Sequence, residues 1–186
     1  MFRRRSFLKS SSLIAGGLIL PKLSFKSKKN LRKKLKIAVV GCGGRGTGAA
    51  VQALRADNNV ELVTLADAFK DRLETSLNAI KDEFEGEMEI NIKEKNKFVG
   101  FDAYKKAIDK SDVVILASPP GFRPAHFEYA IDKNKHVFME KPVATDAHGV
   151  RQVLNSARKA KEKNLNVVVG LQRRYQKSCL LYTSDA

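Results

Sequence analysis

The amino-acid sequence predicts an α/β fold built on a doubly wound parallel sheet. Short apolar runs rich in Val and Ile alternate along the chain with longer segments of helical periodicity, which is the pattern of strand–helix–strand units. Two of these runs, at residues 37–40 and 113–117, are apolar throughout, as is typical of parallel strands covered on both faces. We found no internal repeat, so a single domain is expected.

The positive charge of the chain is concentrated before the predicted fold begins. The chain has 186 residues, of which 35 are Lys or Arg and 20 are Asp or Glu, giving a formal net charge of +15. The first 36 residues contain 12 of the basic residues and no acid, so the other 150 have a net charge of only +3. Nucleic-acid binding requires positive charge on the folded surface. We therefore predict no nucleic-acid partner.

Residues 1–32 are predicted to be a signal peptide and basic linker outside the fold. The run Arg4-Arg5-Ser6-Phe7-Leu8-Lys9 precedes an apolar stretch over residues 10–20, which is similar to the bacterial twin-arginine export signal. The stretch is too short to span a bilayer as a helix. We expect export to the periplasm by the twin-arginine machinery. No Ala-x-Ala site follows Pro21, so an uncleaved membrane anchor is an alternative.

The first predicted strand, residues 37–40, leads directly into a glycine-rich loop and a helix over residues 47–55. In a G-x-G-x-x-G dinucleotide site the first glycine makes the turn, the second lets the pyrophosphate approach the backbone, and the third lets the helix pack on the strand. Backbone N–H groups at the helix start would bind the pyrophosphate. The predicted cofactor loop of a Rossmann NAD(P)-binding domain over residues 33–170 is Gly41, Cys42, Gly43, Gly44, Arg45 and Gly46.

The second predicted strand, residues 60–66, ends at Asp67, which lies 21 residues after the third glycine. An acid at about this spacing can bind the ribose hydroxyls of NAD and repel the additional phosphate of NADP. We therefore predict NAD as the cofactor, with NADP less favoured. Lys70 and Arg72 are close enough in sequence to neutralise a phosphate, and Arg72 is assigned to the cofactor site. Alternatively, Asp67 only caps a helix that starts near Ala68.

The remaining elements continue the alternation. Residues 82–97 are expected to form a surface excursion with a candidate edge strand at 88–92, followed by a turn at 98–102 in which Asp102 caps the next helix. Further strands are predicted at residues 112–118, 136–139 and 167–170, and helices at 103–109, 124–134 and 146–164. The apolar face of the second of these helices is assigned to Phe127, Ala130 and Ile131, and that of the last to Val150, Val153, Leu154 and Ala157.

Two loops that follow predicted strands complete the candidate site. Ser118 ends one strand and is followed by Pro119-Pro120, and Glu140-Lys141-Pro142 follows the next strand. Ligands of open parallel sheets bind outside the carboxyl ends of the strands, so Ser118, Pro119 and Pro120 are expected beside the cofactor.

The glycine loop, Pro119-Pro120 and Glu140-Lys141-Pro142-Val143-Ala144 together resemble the glucose–fructose oxidoreductase, inositol dehydrogenase and MocA (Gfo/Idh/MocA) family over residues 36–176. The export signal and residues 170–175 resemble its exported branch. The resemblance implies that Lys141 is the catalytic residue, reaching nicotinamide and the substrate hydroxyl beside Glu140, often with a cis Lys-Pro bond. An ammonium at that place can stabilise a developing alkoxide. Alternatively, Lys141 is structural and pairs with Glu140.

The resemblance implies an NAD-dependent oxidoreductase that transfers hydride between a sugar or polyol hydroxyl and nicotinamide. Alternatives are a glycosidase of the same family that uses NAD transiently, and a non-catalytic dinucleotide-binding module. Family members have a C-terminal α+β substrate domain and an oligomer interface, so we expect a homo-oligomer at full length. Residues 171–176 would begin that domain, and residues 177–186 are interpreted as a non-native tail, with a divergent natural tail as the alternative. The chain is then an N-terminal fragment, inactive alone.

The histidines and cysteines indicate no metal site. His126, His136 and His148 lack a metal-ligand pattern around them and are expected to be structural or solvent-facing. Alternatively, His126 approaches the site from the first turn of its helix. Cys42 and Cys179 are too few for a disulfide framework. Cys42 is expected to be a packing residue, although a helix N-terminus can lower the pKa of a thiol.

Overall fold

The computed structural model describes residues 33–177 and Cys179. The predicted signal peptide and linker, residues 1–32, lie outside the described residues, as does most of the predicted tail, residues 178 and 180–186. Within the described part of the chain, none of the helices combines the length and apolarity needed to cross a bilayer.

Six parallel strands form one sheet in the order β3-β2-β1-β4-β5-β6. They are β1 (Leu35–Val40), β2 (Val60–Asp67), β3 (Lys97–Val99), β4 (Val113–Leu116), β5 (His136–Met139) and β6 (Val167–Val169). The order reverses between β1 and β4, so the strands on either side of that point leave a crevice at their carboxyl ends. This confirms the predicted doubly wound parallel sheet.

In the part of the chain that the structure describes, five α-helices connect the strands and cover both faces of the sheet. They are α1 (Gly44–Ala56), α2 (Lys70–Glu83), α3 (Ala103–Asp109), α4 (Arg123–Asp132) and α5 (Ala147–Glu162). Because side chains alternate along a strand, Ile37 and Val39 of β1 pack with α1 and α2, whereas Ala38 and Val40 pack with α3, α4 and α5. Short 3₁₀ helices lie at Glu94–Asn96 and Gln172–Tyr175.

The segment between α2 and α3 differs from the prediction. Residues 88–92 form no strand; instead Ile90 and Ile92 are buried in the cluster beside α2. The edge strand next to β2 is instead β3, which includes two residues of the predicted turn. Asp102 precedes α3 but makes no capping hydrogen bond with its side chain, which pairs with Lys105 at 2.7 Å.

The buried face of α5 was also predicted wrongly. Val150, Leu154 and Ala157 are exposed, and of the four assigned residues only Val153 is buried. The buried positions of α5 are Gly149, Val153, Ser156 and Ala160. A β-carbon on Gly149 would lie 3.1 Å from Pro124 of α4, so the two helices approach too closely for large side chains. By contrast, Phe127, Ala130 and Ile131 of α4 are buried as predicted.

Candidate functional site

The carboxyl ends of the central strands enclose a cleft of about 610 Å³, a volume typical of small-molecule sites. Ten of the thirteen predicted site residues line it. They are Gly41, Gly43, Arg45, Asp67, Arg72, Ser118, Pro119, Pro120, Glu140 and Lys141. The other three, Cys42, Gly44 and Gly46, belong to the same loop but do not line the cleft.

The glycine loop uses its first and third glycines for packing. Gly41 has a φ of +97°, and a β-carbon on it would lie 2.4 Å from the backbone nitrogen of Ser118. A β-carbon on Gly46 would lie 1.9 Å from the carbonyl oxygen of Gly41. Neither position admits a side chain, so these glycines allow the loop to pass between β4 and α1.

The second glycine has open space in front of it. Gly43 is the N-cap of α1, and a β-carbon on it would meet no atom within 4 Å. Because the first backbone N–H groups of a helix lack intrahelical partners, the start of α1 presents donors to the cleft. α1 itself begins at Gly44, three residues before the predicted start.

Asp67 connects the end of β2 to the glycine loop. One carboxylate oxygen accepts a hydrogen bond from the backbone N–H of Cys42 at 2.7 Å, and the other accepts from the N–H of Phe69 at 3.0 Å. Phe69 is the N-cap of α2, which begins at Lys70. Asp67 therefore does not cap a helix that starts near Ala68, as the alternative required, and its carboxylate lies at the cleft.

Cys42 does not line the cleft and is 3% exposed. Its thiol lies 3.5 Å from the carbonyl oxygen of Ala66. Burial, with the nearby charge of Asp67, raises the pKa of the thiol to about 12. The thiol is therefore a protonated packing group, and the helix N-terminus does not make it acidic.

Lys141 lies at the cleft with its side chain exposed, and its peptide bond to Pro142 is cis. Among the described residues, no hydrogen-bond or ion-pair partner is found for its ammonium. Glu140, which is 4% exposed, forms its ion pair with Arg45 of α1 instead. The alternative in which Lys141 pairs with Glu140 therefore does not describe this structure, and the ammonium is available to a ligand.

Sequence reasoning missed Arg123, which lines the cleft and is 2% exposed. Its guanidinium donates to the carbonyl oxygens of Ser118 and Pro142. Burial lowers the pKa of Arg123, while the charge of Glu140 opposes that shift. Its position just after the predicted Pro119-Pro120 loop was the available signal.

His126 is buried rather than solvent-facing, and it lines the cleft. Its Nδ1 lies 3.0 Å from the hydroxyl of Ser118, and its ring stacks on Tyr104 with centroids 4.1 Å apart. Burial, reinforced by the charge of Arg123, lowers the pKa of His126 to about 4. The imidazole is therefore neutral near pH 7. His148 is exposed, and Nδ1 of His136 accepts a hydrogen bond from the N–H of Asn166.

Three exposed phenylalanines on the rim of the cleft were also missed. Phe69 follows β2, Phe101 follows β3, and Phe122 precedes α4; they are 62%, 70% and 48% exposed. The rings of Phe101 and Phe122 are 6.1 Å apart. Exposed apolar groups gathered at one place often mark a binding surface. Each follows a strand end, which was the signal in the sequence.

Comparison with known proteins gives a family. Residues 35–170 match the Gfo/Idh/MocA family, described as an oxidoreductase family with an NAD-binding Rossmann fold. An inositol 2-dehydrogenase of Cereibacter sphaeroides is 29% identical over 143 residues, 77% of this chain and 38% of that protein. A glycosyl hydrolase family 109 protein of Shewanella pealeana is 22% identical over 179 residues, 86% of this chain and 38% of that protein. The chain therefore spans about two-fifths of the length of these relatives.

Solved structures share the fold. A scyllo-inositol dehydrogenase from Lactobacillus casei, solved with NAD(H) and scyllo-inositol, has a TM-score of 0.60 at 23% identity, covering 78% of this chain and 38% of that chain. A myo-inositol 2-dehydrogenase from Lactobacillus plantarum has a TM-score of 0.61 at 26% identity, covering 78% of this chain and 39% of that chain.

Proposed function

Because the chain belongs to the Gfo/Idh/MocA oxidoreductase family with its NAD-binding Rossmann fold, we propose that it is the cofactor-binding part of a polyol or sugar dehydrogenase. The reaction is hydride transfer between a secondary hydroxyl carbon and nicotinamide. The observation that carries the proposal is the ammonium of Lys141 at the carboxyl end of β5, which has no partner among the described residues and lies in the cleft that also contains the glycine loop. The similarity to inositol dehydrogenases supports a polyol substrate.

The residues present fit NAD. The open space before Gly43 and the free N–H groups at the start of α1 suit the pyrophosphate. The carboxylate of Asp67 suits the adenosine ribose, and the rim phenylalanines suit the adenine beyond it. Ser118, Pro119, Pro120 and Lys141 are then left for the nicotinamide end. When bound, NAD supplies the carbon that accepts or returns the hydride.

Lys141 would act on the substrate oxygen. Its ammonium donates a hydrogen bond to the hydroxyl and stabilises the negative charge that develops there as the C–H bond breaks. The same hydrogen bond fixes the orientation of the carbon that reacts. Glu140, the carboxylate next to Lys141 in the chain, is paired with Arg45. We propose that the group that takes the hydroxyl proton belongs to a substrate domain of the kind that family members have beyond the cofactor domain.

A further part of the proposal concerns the length of the relatives that this chain does not span. The chain spans 38% of the inositol 2-dehydrogenase it matches, and we propose that substrate binding and assembly into a homo-oligomer require the part that it does not span. On this view the 186-residue chain binds NAD but does not turn over substrate. Oxidation of a polyol by the 186-residue chain itself would contradict this division.

We also propose that the protein is exported. The support is the twin-arginine-like run Arg4-Arg5-Ser6-Phe7-Leu8-Lys9. Fusing residues 1–36 to a reporter that is active only in the periplasm tests this proposal. Export should be lost when both arginines are replaced by lysine, and export that survives this change would contradict a twin-arginine signal.

The test of the catalytic role is Lys141→Met in the full-length enzyme. Met keeps the length and apolar stem of the side chain, so the change removes the charge and the donors. Because the ammonium acts on charge that develops in the transition state, we expect kcat to fall on the order of 10²–10³-fold. NAD affinity, measured by calorimetry, should change little.

The matched control is Lys106→Met. Lys106 is an exposed lysine on α3 that does not line the cleft, and its replacement should leave kcat unchanged. A Lys141→Met enzyme with near-normal kcat would show that Lys141 has only a structural role.

A second candidate function is an NAD-dependent glycosidase. The observation that favours it is the match to a glycosyl hydrolase family 109 protein, which extends over 86% of this chain. Such an enzyme would oxidise, eliminate, hydrate and reduce again, so no reduced cofactor accumulates. Net formation of NADH from a polyol supports the dehydrogenase, whereas release of a leaving group from a glycoside without net NADH formation supports the glycosidase.

A further inference from the structure

Arg123 is a buried cation whose hydrogen bonds link two separate loops. It is 2% exposed, and its guanidinium donates to Ser118 in the loop after β4 and to Pro142 in the turn after β5. Its Nε has no partner among the described residues. Burying a charge is costly unless the charge is compensated. Arg123 is the first residue of α4, and that position alone does not require a buried charge.

One acceptor of Arg123, Ser118, lines the cleft, and the other, Pro142, directly follows Lys141 in the chain. The backbone N–H of Glu140 donates to the carbonyl oxygen of Leu116 at 2.9 Å, and the carboxylate of Glu140 pairs with Arg45. On the other side of Lys141, the carbonyl oxygen of Pro142 accepts from Arg123. The residues before and after Lys141 are thus each fixed by an arginine, while its own side chain is exposed.

From this geometry we propose that Arg123 is a positioning residue that fixes the turn of Lys141 against the Ser118–Pro120 loop. The inference rests on the proposed role of Lys141. The planar guanidinium can donate to two carbonyls at once, which a lysine ammonium on a single flexible stem cannot do with the same rigidity. A displacement of about 1 Å in a group that orients a reacting carbon can cost on the order of 10²-fold in rate. The two hydrogen bonds of Arg123, by fixing the position of Lys141, therefore affect catalysis.

The experiment follows Lys141 directly in the 186-residue chain. Its lysines are dimethylated with ¹³C-labelled formaldehyde, which keeps their charge, and the Lys141 signal is assigned by its loss in Lys141→Arg. NAD is then titrated and the shift of that signal is recorded by NMR, with NAD affinity measured separately by calorimetry. In the labelled protein with its native sequence, we expect NAD to shift the Lys141 signal.

In Arg123→Met we expect NAD still to bind, because the glycine loop and Asp67 are untouched, while the Lys141 signal loses most of its shift. Arg123→Lys should lose it as well, since one ammonium cannot hold both carbonyls. If Arg123→Met does not fold, Arg123→Lys provides the test. The matched control is Lys135→Met, because Lys135 donates to the carbonyl oxygen of Ser111 at 2.6 Å, at the opposite end of β4. The control should keep the full shift.

The outcomes separate the two proposals. Arg123 variants that bind NAD and keep the full Lys141 shift would show that Arg123 is merely structural, and the proposed function would stand. If Arg123→Lys keeps the Lys141 shift, the positioning role is also refuted, because a single positive charge would then be enough to hold Lys141 in place. If NAD does not shift the Lys141 signal even in the labelled protein with its native sequence, the proposed role of Lys141 fails and the positioning role fails with it.

Discussion

Gly43 and Gly46 lie three residues apart in the same loop, yet a side chain would meet very different surroundings at each. A β-carbon on Gly46 would collide with the backbone of Gly41, whereas one on Gly43 would meet nothing within 4 Å. Gly43 also has extended backbone angles, φ −80° and ψ −179°, which a β-branched residue adopts readily. The fold therefore does not require a glycine at position 43, and the open space there suits the proposed pyrophosphate site.

Gly43→Val should abolish NAD binding and leave the melting temperature nearly unchanged. The new side chain occupies the space in which the pyrophosphate would meet the backbone. Calorimetry with NAD and thermal unfolding measure the two effects. Gly48→Ala is the matched control, because Gly48 also has open space but lies outside the cleft; it should bind NAD normally. A folded Gly43→Val protein with unchanged NAD affinity would refute the loop assignment.

Asp67→Ala should weaken NAD binding and raise the relative affinity for NADP. The change removes the acceptor for the ribose hydroxyls and the charge that repels a phosphate, while Arg72 remains at the cleft. From the strength of hydrogen bonds to a charged group, we expect the NAD/NADP affinity ratio to fall on the order of 10- to 100-fold. Asp71→Ala, which removes an equal charge outside the cleft, should leave the ratio unchanged. An unchanged ratio in Asp67→Ala would place cofactor selection elsewhere.

At the scale of elements, the loops after β3 and β4 bring Phe101 and Phe122 to the rim of the cleft. We expect the double variant Phe101→Leu/Phe122→Leu to bind AMP about tenfold more weakly, because stacking of a base on aromatic rings contributes roughly 1–3 kcal/mol per base. Nicotinamide mononucleotide should bind as before. Tyr175→Leu removes an exposed ring outside the cleft and is the control. Equal losses for both ligands would contradict an adenine-binding role.

The predictability of each element depended on the strength of its local pattern. β5 (His136–Met139) and α3 (Ala103–Asp109) have the predicted bounds, because a compact apolar run and a short helix between turns leave little choice. β3 has only three residues, one of them lysine, so its pairing with β2 is a tertiary effect. The buried face of α5 was misassigned because close packing on α4 selects Gly149, Ser156 and Ala160 over larger apolar residues.

The candidate site divides in the same way. The glycine loop and Asp67 have a fixed spacing that follows from how strands end at one edge of a parallel sheet, so their meeting at the cleft was predictable. The partners of Glu140, Arg123 and His126 were not. Arg45 meets Glu140 across 95 positions of sequence, and no local pattern indicates which cation reaches which acceptor.

At the scale of the whole molecule, the burial of His126 makes stability depend on pH. The pKa of His126 is lowered from 6.5 to about 4 in the folded protein. Between these pH values the unfolded chain binds a proton that the folded chain does not. The contribution of His126 to the free energy of unfolding is therefore complete above about pH 6.5 and decreases as the pH falls toward 4. The loss is on the order of 3 kcal/mol over that interval.

Chemical denaturation at several pH values measures this loss in the free energy of unfolding. In His126→Gln the part of the pH dependence due to this group should disappear, leaving a flatter profile between pH 4 and pH 6.5. If the two profiles run parallel across that interval, His126 is protonated in the folded state and its burial does not govern acid stability.

The buried thiol of Cys42 has a practical consequence. It lies in the middle of the glycine loop, 3% exposed and with its pKa raised to about 12, and only the thiolate attacks alkylating reagents. Native molecules should therefore be labelled at this position only during moments when the loop opens. The labelling rate of Cys42 therefore measures how often the loop opens. A lower rate in the presence of NAD would measure how strongly a bound dinucleotide stabilises the closed loop.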